Sequence, residues 1–341
     1  MSHYNLAFLG FGNVGKALAE LLLSKRTDIQ EKTGVTFNVT GIATGRSGIA
    51  INPEGIDLLQ ALELLQSDQS LSQMTDLQVD NSLEFIQNCG ADVLFETIPV
   101  NYKNGQPAVD YIRAALESGM HVATANKGPV VHAYDELTAL ANSLGLKFYF
   151  ESAVMDGAPV FALFRETLPS ANILGFRGVL NSTTNLILTR METGESYADA
   201  VAYAQSIGIA ETDPSGDVDG WDAAIKVSAL ATVLMGVPTK PQDVDRTGIS
   251  EITVEEIKLA KARGQRWKLV CEARWEAGQL KRTVVPQMVG IESPLYGVDG
   301  TTSIVQIESD VLGKLSLIEE DPGPHTTAYG LMADFLNAVR S

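Results

Sequence analysis

The sequence predicts an α/β fold, a Rossmann-type doubly wound parallel sheet with a second α+β domain after it. A short apolar run, residues 5–10, ends in a glycine-rich turn and leads into a stretch with helical periodicity. Strand and helix patterns then alternate as far as residue 150, which is typical of a parallel sheet covered by helices. Beyond Glu151, longer helices are followed by paired strands, and this change marks the second domain.

The first strand is predicted from Asn5 to Gly10, followed by the glycine turn and a helix from Lys16 to Ser24. Residues 52–87 indicate helices over the sheet. The remaining strands of the first domain are predicted at 37–44, 92–97, 121–124 and 147–150, with helices at 106–118 and 134–144.

The second domain contains predicted strands at 268–275 and 279–285, joined by a turn at Ala277-Gly278, and a third strand at 314–318. A final helix at 326–338 is expected to return to the first domain. We therefore place a dinucleotide-binding domain at 1–135, completed by about 312–341, and an α+β domain at 136–311.

Charge and composition exclude several classes of partner. The 341 residues are 45% hydrophobic and carry a net charge of −17, so neither nucleic acid nor an anionic membrane is an expected partner. A small-molecule substrate fits better. The two cysteines, Cys89 and Cys271, match no metal or redox spacing, and no signal peptide or membrane-spanning run is present. The expected location is the cytoplasm.

The glycine turn G-x-G-x-x-G is formed by Gly10, Gly12 and Gly15. In a dinucleotide-binding turn, the first glycine permits the tight bend, the second lets the pyrophosphate approach, and the third lets helix and strand pack. The backbone at Asn13 and Val14, where the helix opens, would then face the anion. The alternative is a purely structural strand-to-helix turn.

The end of the second strand indicates which cofactor is preferred. Thr44-Gly45-Arg46-Ser47 contains no carboxylate to accept a hydrogen bond from the ribose 2′-hydroxyl of NAD. Arg46 can instead pair with a 2′-phosphate, which favours NADP over NAD. The alternative is that Arg46 stacks on the adenine without discriminating between the two.

The segment D-V-D-G-W-D-A-A-I-K, residues 217–226, opens a helix predicted to run to about Gly236. Lys226 is the only charged residue of that helix from Ala223 onward, and Asp222 precedes it by four residues. The two side chains therefore share one face, where they can form a proton-transfer unit. The alternative is that Asp219 and Asp222 cap the helix while Lys226 extends to water.

Three further groups are candidates for substrate contacts. Lys127 follows a strand at the edge where open α/β sheets bind ligands, although it could be a solvated lysine that opens a helix. Asn181, Ser182 and Thr183 open a helix whose N-terminus could hold a carboxylate, or Asn181 or Ser182 could simply cap it. The acidic loop from Glu211 to Asp217 could clamp an amine, or could be a solvated charged surface.

Six segments together resemble the homoserine dehydrogenases, in the order found in that family and over nearly the whole chain. They are G-F-G-N-V-G, E-T-I-P-V-N, A-T-A-N-K, G-V-L-N-S-T-T-N, E-T-D-P-S-G-D-V-D-G-W-D-A-A-I-K and S-P-L-Y-G-V-D-G-T. The resemblance implies reversible hydride transfer between a nicotinamide and C4 of the substrate, interconverting L-homoserine and L-aspartate 4-semialdehyde in threonine and methionine biosynthesis. It also implies a homodimer built through the second domain.

The resemblance assigns roles to individual residues. Lys226 and Lys127 are the acid/base candidates, Asp222 orients Lys226, and Glu211 and Asp217 hold the substrate amino group, with Ser182 and Thr183 also lining the substrate site. Thr97 joins the glycine turn, Thr44, Arg46 and Lys127 at the cofactor. A monovalent cation site, for sodium or potassium, maps onto Glu151, Val154, Asp156 and Ala158.

Three positions depart from the family pattern. Asp156 stands in a turn that is usually glycine-rich, so we expect its β-carbon to alter the backbone path and its carboxylate to pair with a nearby base. Ser182 stands where glycine is common. The loop 321–327 is less glycine-rich than usual and carries His325 as a candidate polar contact. Because the chain ends at Ser341, no regulatory module is expected.

Other functions remain open. A semialdehyde dehydrogenase that acylates a cysteine would need an activated thiolate, and neither cysteine is placed for it. A nucleotide-binding sensor would have no use for both Lys127 and Lys226. A related dehydrogenase acting on another amino-alcohol or amino-aldehyde is the stronger alternative, supported by Ser182 and Asp156.

Overall fold

The computed structural model describes residues 1–340, which divide into two units. Unit 1 contains residues 1–159 and the chain from 323 onward, and unit 2 contains residues 160–322. The C-terminal segment therefore belongs to unit 1, as the sequence predicted. The boundaries lie at 159 and 323, whereas the prediction placed them near 135 and 312.

Twelve strands and thirteen α-helices occur in the described chain, beside four short 3₁₀ or π segments. The strands are β1 (Ser2–Leu9), β2 (Val35–Ala43), β3 (Ile49–Ile51), β4 (Val93–Glu96), β5 (His121–Thr124), β6 (Phe148–Tyr149), β7 (Ile173–Val179), β8 (Asp245–Arg246), β9 (Gln265–Glu276), β10 (Gln279–Gly290), β11 (Ser303–Ser309) and β12 (Gly313–Glu319). The helices are α1 (Asn13–Thr33), α2 (Leu58–Gln66), α3 (Ser82–Asn88), α4 (Ala108–Glu117), α5 (Lys127–His132), α6 (Tyr134–Ser143), α7 (Val160–Ala162), α8 (Ser182–Met191), α9 (Tyr197–Ser206), α10 (Ser215–Val218), α11 (Trp221–Met235), α12 (Val254–Ala262) and α13 (Pro324–Ala338).

The sheet of unit 1 has the strand order β3-β2-β1-β4-β5-β6. All of its pairings are parallel except that of β2 with β3, so the predicted doubly wound parallel sheet is confirmed. In the register, Leu9 lies opposite Ala43 and Glu96, and Glu96 lies opposite Thr124. The carboxyl ends of four strands therefore meet at one edge, where ligands bind in this fold.

The C-terminal helix α13 completes the core of unit 1. Phe335 is fully buried and packs edge-on against Tyr4, Phe37 and Phe95. Such aromatic contacts add to the burial of apolar area in holding the helix on the sheet. The position of β6, which pairs with β5, explains why unit 1 continues past residue 135.

The sheet of unit 2 has the order β12-β11-β7-β9-β10-β8, and its pairings are antiparallel apart from that of β10 with β8. The hairpin predicted around Ala277-Gly278 is present, with Ala277 and Gly278 both at positive φ. Its second strand continues to Gly290, well past the predicted 285. Strand β11 had no prediction.

The start of α11 differs from the prediction. The helix begins at Trp221, because Gly220 adopts a left-handed conformation with φ of 79° and separates it from the short α10. Asp217 and Asp219 therefore lie before the helix rather than in its first turn. The helices predicted at 106–118, 134–144 and 326–338 are present as α4, α6 and α13, and α1 extends nine residues beyond the predicted Ser24, to Thr33. Within residues 1–340, no helix is both long enough and apolar enough to cross a membrane.

Candidate active site

The glycine turn of unit 1 has the geometry that a dinucleotide requires. Gly10 has φ of 98°, and a β-carbon there would lie 2.8 Å from the Thr97 backbone. A β-carbon at Gly15 would lie 2.8 Å from the Gly10 carbonyl oxygen, so helix and strand pack closely only with glycine. At Gly12 a β-carbon would meet no atom of the described chain within 4 Å, so this position faces open space. Such a cradle fits a pyrophosphate.

The start of α1 supplies the anion site. Gly12 is its N-cap, and within residues 1–340 no side chain caps it. The first backbone N–H groups of the helix, beginning at Asn13 and Val14, are therefore available to an anion, which the helix dipole also favours. Thr97 supports the turn, because its hydroxyl donates to the Gly10 carbonyl at 3.0 Å.

The loop after β2 presents Arg46 at the surface. Thr44 Oγ1 donates to the Gly48 carbonyl at 2.9 Å and accepts from the Ser47 N–H at 2.7 Å. The Thr44 hydroxyl thus shapes the turn itself, while Arg46 is exposed at its tip. The predicted cofactor residues Thr44 and Arg46 therefore differ in accessibility, and Arg46 is the one free to reach a ligand phosphate.

Lys127 is the first residue of α5 and is half-buried. Asn126 caps this helix, since its Oδ1 accepts from the Gly128 N–H at 2.9 Å. Asn126 Nδ2 donates to Glu96 Oε1 at 3.3 Å, and Thr124 Oγ1 donates to Glu96 Oε2 at 2.5 Å. Lys127 therefore follows a turn held by a buried carboxyl group that sequence reasoning did not single out.

The turn at 151–158 differs in part from its prediction. Glu151 and Val154 are buried, Ala158 is partly buried, and Asp156 has φ of 41°, in the left-handed region typical of glycine. The carboxylate of Asp156 accepts from the Thr326 hydroxyl at 3.1 Å, so its partner is a hydroxyl and the predicted base was wrong.

In unit 2, Lys226 and Asp222 form the predicted pair. Lys226 Nζ lies 3.0 Å from Asp222 Oδ2 and donates to the Leu180 carbonyl at 2.7 Å. The two side chains are only 15% and 14% exposed, so the alternative in which Lys226 extends to water is excluded. Asp222 does not cap α11, which begins at Trp221 with Gly220 as its N-cap and has no side-chain cap from any residue in 1–340.

Asn181 joins this pair to a second acid. Its Nδ2 donates to Asp217 Oδ1 at 2.7 Å and to Asp222 Oδ2 at 3.0 Å. Its Oδ1 accepts from the Thr184 N–H at 2.8 Å, so the same side chain also caps α8. The sequence offered Asn181 either as part of a helix N-terminus that could hold a carboxylate or as a cap, and its contacts with the two acids were not predicted. An asparagine at the strand-to-helix junction preceding Ser182 was the signal available.

The acid Asp217 has a raised pKa. The largest cause is burial, followed by repulsion from the Asp222 carboxylate, and the hydrogen bonds from Asn181 and Thr183 and the charge of Lys226 oppose the shift. Two carboxylates, one amide and one ammonium are thus packed together in a partly dry site. Such an arrangement can bind a cationic amine and can move a proton to and from an oxygen.

The other predicted substrate residues are placed differently. Thr183 is buried and donates to the Ile209 carbonyl at 3.2 Å, and Ser182 is the half-buried first residue of α8. Glu211 is exposed, and its carbonyl oxygen accepts from Gln205 Nε2 at 3.1 Å. Its side chain joins none of the hydrogen bonds or ion pairs around Lys226 in the described chain.

Neither cysteine is a nucleophile. Both are buried, and burial raises the pKa of the Cys271 thiol to about 12 and that of Cys89 above its ordinary value. A thiol in this state carries almost no thiolate at neutral pH. The acylating semialdehyde dehydrogenase is therefore excluded.

A glycine turn built for a dinucleotide in one unit and a lysine–carboxylate site in the other define the class, and the chain is an NAD(P)-dependent oxidoreductase. The NAD-binding domain of homoserine dehydrogenase matches residues 10–151, and the homoserine dehydrogenase family matches residues 159–336. The chain belongs to the homoserine dehydrogenase family.

Homoserine dehydrogenases from several organisms are similar to this chain over its full length. An NAD(+)-dependent homoserine dehydrogenase from Pseudomonas canavaninivorans is 36% identical over 100% of this chain and 97% of its own length. A homoserine dehydrogenase from Methanocaldococcus jannaschii is 36% identical over 99% of both chains. The structure of a hyperthermophilic archaeal homoserine dehydrogenase in complex with NADPH has a TM-score of 0.83 and 34% identity, covering 99% of this chain and 98% of that one.

The raised pKa of Asp217 predicts a stabilising substitution. A carboxyl group whose pKa is higher in the folded than in the unfolded state loses folding free energy as the pH rises through the two values. Asp217→Asn removes that loss, so its melting temperature should exceed that of the wild type by a few degrees at pH 8, with a smaller difference at pH 4.

The matched control for this substitution is Asp213→Asn in the same loop. The pKa of Asp213 is lowered, chiefly by the Ser215 backbone N–H, so its substitution should bring no stabilisation at pH 8. Calorimetric melting of the three proteins at both pH values checks the prediction. A melting temperature of Asp217→Asn below that of the wild type at pH 8 would contradict it.

Proposed function

We propose that this protein catalyses the reversible oxidation of L-homoserine to L-aspartate 4-semialdehyde, with Lys226 at the centre of the chemistry. The observation that carries this proposal is the ammonium group of Lys226, held in a largely buried position by Asp222 and by the Leu180 carbonyl. The bound nicotinamide supplies or accepts the hydride. The protein has to provide a proton donor and acceptor for the reacting oxygen.

Lys226 fits that requirement. Its ammonium can donate a proton as an alkoxide develops in the reduction direction, and the amine can take the proton back in the oxidation direction. Asp222 accepts both from Lys226 and from Asn181, which fixes the carboxylate and with it the direction of the lysine. We assign Asp222 an orienting role for this reason.

We propose that Asp217 binds the substrate ammonium and that the N-terminus of α8, at Ser182 and Thr183, binds the substrate carboxylate. Asp217 is partly buried and close to a second carboxylate, so a cation relieves the repulsion between the two. The helix dipole of α8 favours an anion at its start. Glu211 is exposed, which suits a contact at the rim of the site.

Lys127 is the second acid/base candidate, proposed from its own unit. It opens α5 at the carboxyl edge of the parallel sheet, directly after the hydrogen-bonded turn at Thr124–Asn126. Ligands of open α/β sheets lie along this edge. We propose that Lys127 contacts the substrate or the nicotinamide there.

The preferred cofactor is proposed to be NADP. Arg46 is exposed on a turn that contains no carboxylate, and its guanidinium can pair with a 2′-phosphate. The relatives named above include one described as NAD(+)-dependent and one in complex with NADPH, so the family offers both possibilities. The charge of Arg46 is what favours NADP in this chain.

We propose that turnover does not depend on sodium or potassium. Glu151, Val154, Asp156 and Ala158 would hold such an ion, but the Asp156 carboxylate is engaged by Thr326, whose hydroxyl also accepts from the Gly323 N–H at 2.9 Å. The carboxylate is therefore already held by a hydrogen bond that links residue 156 to the start of α13. We expect equal rates when tetramethylammonium replaces both ions at constant ionic strength.

The assembly is proposed to be a homodimer formed through unit 2, and the location is proposed to be the cytoplasm. The homodimer is proposed from the family resemblance alone, and the cytoplasm from the two cysteines, which are free and buried. Because the net charge is −17, we do not propose nucleic acid or an anionic membrane as a partner.

The direct test of this function is an absorbance assay for reduced nicotinamide with L-homoserine and NADP, then NAD. Homoserine should support turnover, whereas an analogue that lacks the amino group should be a poor substrate, because Asp217 would have no cation to hold. Equal kcat/KM for the two substrates would contradict the proposed role of the acidic residues.

Lys226→Ala and Lys127→Ala should each lower kcat by about a hundredfold or more, the scale of a lost general acid or base. Lys258→Ala is the matched control, because Lys258 is an exposed lysine on α12. Circular dichroism should be unchanged in all three proteins. Near-normal turnover in either site variant would remove that lysine from the mechanism.

Arg46→Asp should lower the preference for NADP over NAD, because the substitution places a negative charge where the 2′-phosphate would bind. The ratio of kcat/KM for the two cofactors is the measurement. Lys32→Asp, at an exposed lysine near the end of α1, controls for the change of net charge. An unchanged ratio in Arg46→Asp would show that this arginine does not contact the phosphate.

A further inference from the structure

Glu96 is a buried acid that no role proposed so far uses. It is the last residue of β4, its side chain is fully buried, and within residues 1–340 no lysine or arginine forms an ion pair with it. A carboxyl group in such a place costs free energy that an apolar residue would not. A cost of this kind at the ligand-binding edge of the sheet points to a function.

Three donors surround the carboxyl group. Ile98 donates its N–H to Oε1 at 2.8 Å, Asn126 Nδ2 donates to Oε1 at 3.3 Å, and Thr124 Oγ1 donates to Oε2 at 2.5 Å. The Thr124 oxygen in turn accepts from the Asn126 N–H at 2.9 Å, so its single proton is directed at Glu96. All three contacts suit an ionised carboxylate.

The same contacts reach the two parts of unit 1 that carry its chemistry. Asn126 caps α5 through Gly128, and Lys127 lies between them as the first residue of the helix. On the other side, Ile98 follows Thr97, whose hydroxyl donates to Gly10 in the glycine turn. Glu96 thus ties the turn before Lys127 to the cofactor turn.

Near neutral pH, the protonated and the ionised forms of Glu96 are both populated. Burial raises its pKa to about 7, and the hydrogen bonds from Thr124, Ile98 and Asn126 oppose the shift. The groups that contact it are all uncharged. Of the charged groups on neighbouring elements, Asp110 and Arg113 pair with each other on α4, Asp334 on α13 accepts from the Glu151 N–H, and His121 lies at the opposite end of β5.

We propose that Glu96 is a positioning residue: its ionised carboxylate fixes Thr124 and Asn126, and through them the turn that presents Lys127. This inference rests on the role proposed for Lys127. When Glu96 is protonated, one oxygen becomes a donor, and the Thr124 hydroxyl must then turn away or accept. The turn before Lys127 is held less firmly in that form, so turnover should fall as Glu96 gains its proton.

Glu96→Gln mimics the protonated form at every pH, because the amide has one acceptor and one donor in place of two acceptors. The ratio of wild-type to variant kcat should therefore be near unity below pH 6 and rise to about tenfold at pH 8.5, the scale of a modest misplacement. Groups that titrate in both proteins cancel in this ratio. A ratio that is the same at every pH would overturn the proposal.

A double-mutant cycle with Lys127→Ala tests whether Glu96 acts through that lysine. At pH 8.5, Glu96→Gln should lower kcat in the wild-type background and have little further effect when Lys127 is absent. If Lys127→Ala is impaired but the two effects multiply, Glu96 does not act through Lys127. If Lys127→Ala alone keeps its turnover, the function proposed for Lys127 fails instead.

The melting temperature distinguishes a positioning role of Glu96 from a purely structural one. Because the pKa of Glu96 is raised, its ionisation weakens folding as the pH rises toward and through 7, so Glu96→Gln should melt no lower than the wild type at pH 8.5. A loss of kcat that follows a lower melting temperature would mean a structural role only. Glu63→Gln, at an exposed acid on α2, is the matched control that should change neither quantity.

A second pair of variants keeps the test decisive if Glu96→Gln does not fold. Thr124→Val removes the hydroxyl that donates to Glu96 and accepts from Asn126, whereas Thr124→Ser keeps it. At pH 8.5 the valine variant should lose turnover about tenfold and the serine variant should retain it. Equal turnover of the two variants would overturn the proposal.

Discussion

An ammonium group that is largely removed from water has to be surrounded by oxygen atoms, and this constraint at Lys226 organises the site in unit 2. Asp222 and the Leu180 carbonyl accept from it. Holding Leu180 in place requires the junction between β7 and α8, and holding Asp222 requires that α11 begin at Trp221. Asn181 stands at the first of these junctions and donates to Asp222, so a single amide joins both. Packing and chemistry therefore use the same hydrogen bonds.

Unit 1 contains a buried group of the opposite charge, and that group is stabilised without an ion pair from the described chain. Glu96 is a buried carboxyl group whose partners in the described chain are a hydroxyl, an amide and a backbone N–H rather than a cation. Hydrogen bonds to an ionised group are worth more than neutral ones, yet burial still raises the pKa of Glu96 to about 7. A buried acid held only by neutral donors can gain or lose its proton near neutral pH, which a salt bridge would prevent.

Most of the fold can be predicted from the sequence, because local patterns of residues determine most of its strands and helices. The alternation of strands and helices predicts the parallel sheet, and the four-residue spacing of Asp222 and Lys226 predicts their pairing. Two features were not predicted, because they depend on contacts between residues that are distant in the sequence. Asn181 donates to acids 36 and 41 positions away, and Asp156 meets Thr326 170 positions away. Residue type and spacing carry no information about such partners, so the contacts of Asn181 with the two acids were not predicted, and a base was expected beside Asp156.

The two acids around Asn181 show what the amine site proposed beside Asp217 costs in folding stability. The pKa of Asp217 is raised chiefly because its carboxyl group is buried, and secondly because the Asp222 carboxylate repels it. A substrate ammonium placed beside Asp217 lowers that pKa again, because an opposite charge favours the ionised form. Binding of the amine and protonation of Asp217 therefore compete by linkage. Ionised Asp217 is thus costly in the free protein, and binding of a substrate ammonium at the place proposed for it would offset that cost.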